Sequence, residues 1–192
     1  MYIARRVTTF FLKKIVTKDK ADVCEYGIEL ILGDIINFAS ILLINLIFFE
    51  FNMGIFYLLC FITVRIFSGG YHSTTHFRCS LAMISFYLLF IFIYKKILTI
   101  DVDILLVGVL LAYIPIIIYS PVINENRPLS EYVRRKSRQR AIIVYSLWLI
   151  MSLIFIFFGM KQGRVIIATL WIISINIIFA QCFKFMKGCE QK

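Results

Sequence analysis

The chain has 192 residues, 61% of them hydrophobic and 17% charged, with 21 Lys and Arg against 11 Asp and Glu for a formal net charge of +10. A water-soluble domain is not so apolar, and a soluble helical core would have to bury Phe, Leu and Ile on every face of every helix. The positive excess reports membrane topology and anionic lipid rather than nucleic acid, because no RNA- or DNA-binding motif accompanies it.

Residues 1–20, MYIARRVTTFFLKKIVTKDK, read as an amphipathic interfacial helix. Ile3, Val7, Phe10, Phe11 and Ile15 follow helical spacing, and Arg5, Arg6, Lys13, Lys14, Lys18 and Lys20 supply the cationic side. The segment has no sustained apolar core and no small-residue cleavage site, so it is not read as a signal peptide. The first apolar span is expected over 28–49 and the second over 53–67, short for a full crossing and ending at Ser68-Gly69-Gly70. The third is expected over 79–94 and the fourth over 103–120, with Pro115 predicted to kink it. A polar, basic loop is expected over 121–140, followed by spans over 141–159 and 165–183.

No internal repeat or low-complexity linker interrupts the chain, so residues 1–192 read as one all-α, polytopic membrane domain with a transmembrane bundle over 28–183. Six spans put both termini on one side. The terminal segments, the 65–78 region and the 121–140 loop carry every Lys and Arg except Lys95, Lys96, Lys161 and Arg164. The positive-inside bias therefore places the termini, the 68–80 segment and the basic loop in the cytoplasm. The short second and third segments leave a re-entrant arrangement open.

The five cysteines are Cys24, Cys60, Cys79, Cys182 and Cys189, an odd number without paired spacing, which argues against a disulfide framework. Cys60 and Cys182 stand in apolar runs and read as inert packing residues. Cys79 differs, because the stretch SGGYHSTTHFRCS at 68–80 joins it to both histidines, His72 and His76. A neighbouring imidazole makes a thiolate available at neutral pH. Gly69-Gly70 lets the backbone turn close to a substrate, and free N–H groups there or at the next helix start can hold an oxyanion. This is the outline of a thiol acyl-transfer site.

Spacing alone favours His76 as the partner, since i and i+3 are neighbours on one helix face. His72 stands two turns before Cys79, about 10.5 Å of helical rise, so a His72–Cys79 dyad requires the chain to fold back between them. Thr74 and Thr75 are poor helix formers, and either can cap a new helix. A zinc site on His72, His76 and Cys79 is an alternative, although HSTTH lacks the glutamate of a zincin. The bland alternative is a polar membrane-edge loop without chemistry, against which stands the usual functional role of polar residues at membrane depth.

Arg65, Gly69-Gly70, His72 and Cys79, written R-x3-G-G-x-H-x6-C, resemble the signature of the accessory gene regulator protein B (AgrB) family. A second stretch resembles it independently, from Ser120-Pro121-Val122 through Asn126-Arg127-Pro128-Leu129 to Arg134, Arg135, Lys136, Arg138 and Arg140. Chain length, the six-span layout, the basic N-terminus and Glu25-Tyr26-Gly27 also fit. The resemblance implies a membrane cysteine endopeptidase of Gram-positive quorum sensing that cuts an AgrD-like propeptide near its C-terminal region. It makes Cys79 the nucleophile and His72 its base, and gives His76 no role. It puts Arg65, Gly69, Gly70, Pro121, Asn126, Arg127, Pro128, Arg134, Arg135 and Lys136 against the substrate. Ser120 departs mildly, since many relatives carry a small residue such as alanine there. The implied product is a thiolactone or lactone still joined to its leader. No metal or cofactor is expected. The expected partners are the propeptide and anionic lipid, with a homodimer admitted and nucleic acid excluded.

Glu29 and Asp34 lie in the first span, where Asp34 pairs with Arg65 or orients His72; a structural pair is the first reading. Asn37, Asn45, Asn176 and Gln181 read as interhelical hydrogen-bonding groups. The run Arg134–Arg140 serves as a topological stop that touches anionic lipid, or holds the acidic propeptide tail that the resemblance implies. A peptide exporter without covalent chemistry is a further alternative, disfavoured by the lack of a nucleotide-binding motif or repeat symmetry.

Overall fold

The computed structural model describes residues 33, 35–47, 51–70, 76–122 and 130–190, with backbone alone for 51, 76–79 and 187–190. The chain is all-α. In order, the helices are α1 (Ile35–Ile47), α2 (Phe51–Ser68), α3 (His76–Ile97), α4 (Val102–Tyr119), α5 (Glu131–Phe157) and α6 (Lys161–Glu190). The last four are long and apolar enough to cross a membrane, while α1 and α2 are shorter apolar helices. The expected interfacial helix, Glu25-Tyr26-Gly27, Glu29 and Asp34 lie outside the described residues.

α6 is the inner helix. It packs against α2, α3, α4 and α5, and 67% of its apolar window is buried, against 17–28% for the other three long helices. Its sequence explains this: Val165–Ile173 is apolar almost all round, and Ala168, Thr169, Ser174 and Ala180 let neighbouring backbones approach. Around it α2 packs on α5, and α4 on α5. The outer helices expose long apolar side chains such as Ile104, Val107, Leu110 and Leu111 on α4, as hydrocarbon contact allows.

Several polar bonds join the described helices. Tyr87 Oη of α3 donates to Asn45 Oδ1 of α1 at 3.0 Å, so Asn45 acts between helices as expected. Trp148 Nε1 of α5 donates to Thr63 Oγ1 of α2 at 2.8 Å. α4 runs unbroken through Pro115, with Ser174 Oγ of α6 donating to the carbonyl of Ala112 in the preceding turn. Cys60 is buried as expected, whereas Cys182 is exposed on α6, because that end of the helix has left the packed interior.

One expectation is corrected. Residues 121–140 are not all loop: α5 begins at Glu131 and carries the basic run on its first turns before entering the apolar span. Ser130 caps it, its side chain accepting from Val133 N at 3.5 Å, and Glu131 complements the N-terminal dipole. Arg, Lys and Gln are good helix formers, and their propensity prevails over like-charge repulsion on an exposed surface.

Candidate active site at one end of the bundle

α2 ends at a glycine. Gly69 has φ 68°, and its N–H donates to the Arg65 carbonyl at 3.0 Å, a left-handed cap that stops the helix. Beyond the cap the backbone meets the segment that leaves α4. Val122 N donates to the Ser68 carbonyl at 2.9 Å, and Gly69 and Val122 form a parallel bridge. A Cβ on Gly69 would stand 2.7 Å from the Val122 carbonyl oxygen. Gly70 is buried against α6, where Asn176 Oδ1 occupies the place its Cβ would need. The two motif stretches, far apart in sequence, therefore converge at this turn.

Arg65 lies under it. Its Nη1 donates to Met83 Sδ of α3 at 2.7 Å, and its guanidinium sits 5.4 Å from the centroid of the Phe61 ring. Its Nε is 4.0 Å from the position of a Gly70 Cβ. The Arg65–Asp34 pair expected from the sequence falls outside the described residues. Asn176, expected as an interhelical group, is buried on α6. Its place against a glycine backbone is a non-local fact that residue type alone does not announce.

α3 is described from His76, and Cys79 lies on it three residues further on. His72 lies outside the described residues. α2 stops at Ser68 and Gly69 and Gly70 are non-helical, while the stretch between Gly70 and His76, on which a fold-back of His72 toward Cys79 turns, lies outside the described residues. His76 and Cys79 remain i and i+3 on one helix. Along α3 the buried residues are Met83, Tyr87, Phe90, Tyr94 and Ile97. The first-turn N–H groups of a helix have no intrahelical acceptor and favour negative charge beside them. The zinc alternative rests on His72, His76 and Cys79, whose side chains are not described. Among the described residues no three His, Cys, Asp or Glu side chains gather.

The same end holds the exit of α4 and the entry of α5. Pro121 is buried after a cis Ser120–Pro121 peptide, and Ser120 is buried with no partner for its Oγ among the described residues. Asn126, Arg127 and Pro128 lie outside the described residues. Arg134, Arg135 and Lys136 are exposed on the first turns of α5, with Lys136 Nζ 5.6 Å from the Tyr132 ring centroid. Arg140 lies 5.8 Å from the Phe67 ring centroid of α2, and Arg138 Nη2 donates to the Ile117 carbonyl at the end of α4. Arg164 lies at the opposite end, where it donates to the carbonyl of Ile100 at 2.9 Å and to that of Ile97. Lys95 and Lys96 lie there too, in the last turn of α3, as does Lys161 at the start of α6. Among the described residues, Arg65 and the Arg134–Arg140 run thus lie at the opposite end of the bundle from Lys95, Lys96, Lys161 and Arg164.

A family model described as accessory gene regulator B matches residues 4–185. The chain belongs to the AgrB family. No curated protein and no solved structure gives a match. Membership connects the chain with accessory gene regulator peptide processing in quorum sensing, and with an AgrD-like propeptide as the general kind of partner. The four long apolar helices fit a multi-pass membrane protein. Within an AgrB chain, the Gly69–Val122 bridge joins the Gly69-Gly70 pair of the first stretch to the Ser120–Val122 start of the second.

Proposed function

We propose that this AgrB chain is a membrane cysteine endopeptidase that cleaves an AgrD-like propeptide through a thioester on Cys79 and promotes its cyclisation. The observation that supports this reading is the Gly69–Val122 bridge, which joins parts of both AgrB stretches, together with the Arg65 bond to Met83 on the helix that carries Cys79. His72 takes the thiol proton, and Cys79 attacks the scissile carbonyl. The oxyanion meets free N–H groups at the start of α3. Protonation of the leaving amine by His72 releases the C-terminal fragment and leaves the N-terminal part as a thioester. A Cys or Ser side chain of the propeptide then attacks that thioester, releasing Cys79 and closing a thiolactone or lactone. Thiol exchange roughly conserves bond energy where hydrolysis discards it, and a site that excludes water favours the ring.

Substrate contacts fall to Arg65, Gly69, Gly70, Pro121, Asn126, Arg127 and Pro128. Arg134, Arg135 and Lys136 hold an acidic propeptide tail and also meet anionic lipid. The site and both termini face the cytoplasm of a Gram-positive cell, by the positive-inside bias. Purified chain in anionic vesicles, given synthetic propeptide, is expected to cleave it equally with and without a zinc chelator, and Cys79→Ala is expected to be inactive. Loss of cleavage on chelation would point to the zinc alternative. Product appearing across the membrane in cells carrying Cys79→Ala would point to export without covalent chemistry.

A further inference from the structure

We propose that Arg138 is a positioning residue: its guanidinium replaces the backbone donor that Pro121 lacks and thereby holds the Val122 bridge against the Gly69 turn. In an α-helix the carbonyl of residue 117 accepts from the N–H of residue 121. Here residue 121 is proline, which has no N–H. The neighbouring donors are engaged elsewhere. Ser120 N–H goes to the Ile116 carbonyl at 3.2 Å, and Val122 N–H goes across to the Ser68 carbonyl at 2.9 Å. The Ile117 carbonyl is left open at the membrane edge, where an unsatisfied backbone group is costly. The group that reaches it is Arg138 of α5.

This separates Arg138 from the rest of the basic run. Lys136 lies over Tyr132 of its own helix, and Arg140 lies over Phe67 of α2. Arg138 alone among the described residues of that run bonds the last turn of α4, four residues before Pro121. Val122 follows Pro121, and its amide holds the Ser68 carbonyl beside Gly69. A tether on α4 is thus passed through Pro121 and the Val122 bridge to the turn that precedes the His72–Cys79 segment in sequence. Arg138 does not touch the substrate in this account; it acts through the backbone it fixes.

The kinetic consequence rests on the endopeptidase reading, but the structural consequence does not, and the experiment keeps them apart. The full chain in anionic vesicles is compared with Arg138→Met by hydrogen exchange at the Val122 amide and by steady-state cleavage of synthetic propeptide. Arg138→Met is expected to lose protection at Val122, and to lose kcat by roughly ten- to a hundredfold, the scale of a slightly misplaced site, with KM unchanged. Variants at Arg134 or Arg135 are expected to raise KM instead. If Arg138→Met does not accumulate, Arg138→Gln keeps an N–H donor without the charge and is expected to retain protection and most of the activity. Unchanged protection at Val122, or a rise in KM alone, would overturn the positioning role. Protection lost without loss of kcat would make the contact a structural tether only, and also overturns it. Should Cys79→Ala cleave like the parent chain, the endopeptidase reading fails while the exchange result still decides the tether.

Discussion

His72→Ala is expected to lower propeptide cleavage by roughly a hundredfold to ten-thousandfold, the range of a lost general base, while His76→Ala keeps most of the activity. Helical spacing argues the other way, since His76 and Cys79 lie three residues apart on α3. Two considerations outweigh it. Gly69 and Gly70 end α2 ahead of His72, and Thr74 and Thr75 are poor helix formers, either of which can cap a new helix. The AgrB pattern from Arg65 to Cys79 selects the histidine two residues after the glycine pair. Single-turnover cleavage by the two variants checks this. An active His72→Ala beside an inactive His76→Ala would reverse the assignment and leave a base on the same helix face as the nucleophile.

Gly69→Ala is expected to damage both fold and activity. At φ 68° any L residue costs about 1–2 kcal/mol of backbone strain. The added Cβ would also meet the Val122 carbonyl oxygen at 2.7 Å, a backbone atom that cannot rotate away. Overpacking of this kind adds about 1–3 kcal/mol. Gly159 is the internal control. It has φ 69° in the turn between α5 and α6, but a Cβ there meets nothing within 4 Å. Gly159→Ala should therefore cost only the strain and leave cleavage intact. Thermal unfolding in detergent, paired with a cleavage assay, measures both. Equal costs at the two glycines, with cleavage retained in Gly69→Ala, would mean that the turn and the Val122 backbone are not tightly joined.

The apolar runs made the helices legible, and the described helices overlap each expected span. Residue patterns also separated Lys95, Lys96, Lys161 and Arg164 from the other basic residues, and the bundle sets them at the far end. The helical state of 131–140 was less legible, because a dense basic run resembles a solvated loop. Its signal is local and subtle: Ser130 followed by Glu131, then good helix formers. Contacts such as Arg65 to Met83, or Asn176 against Gly70, were not legible at all. They depend on how α2, α3 and α6 meet, and no spacing within one helix encodes that. The carbonyl left open by Pro121 was visible in principle, but its partner Arg138 lies on another helix.

The central claim is a covalent one, that Cys79 carries the N-terminal part of the propeptide as a thioester. Intact-protein and peptide-level mass spectrometry of the purified chain, quenched in acid during turnover, tests it directly. The account predicts a hydroxylamine-sensitive adduct on the peptide containing Cys79, with the mass of the N-terminal propeptide fragment less one water, and no adduct in Cys79→Ala. Cleavage at full rate with Cys79 unmodified throughout turnover, or an adduct that persists in Cys79→Ala, would contradict it.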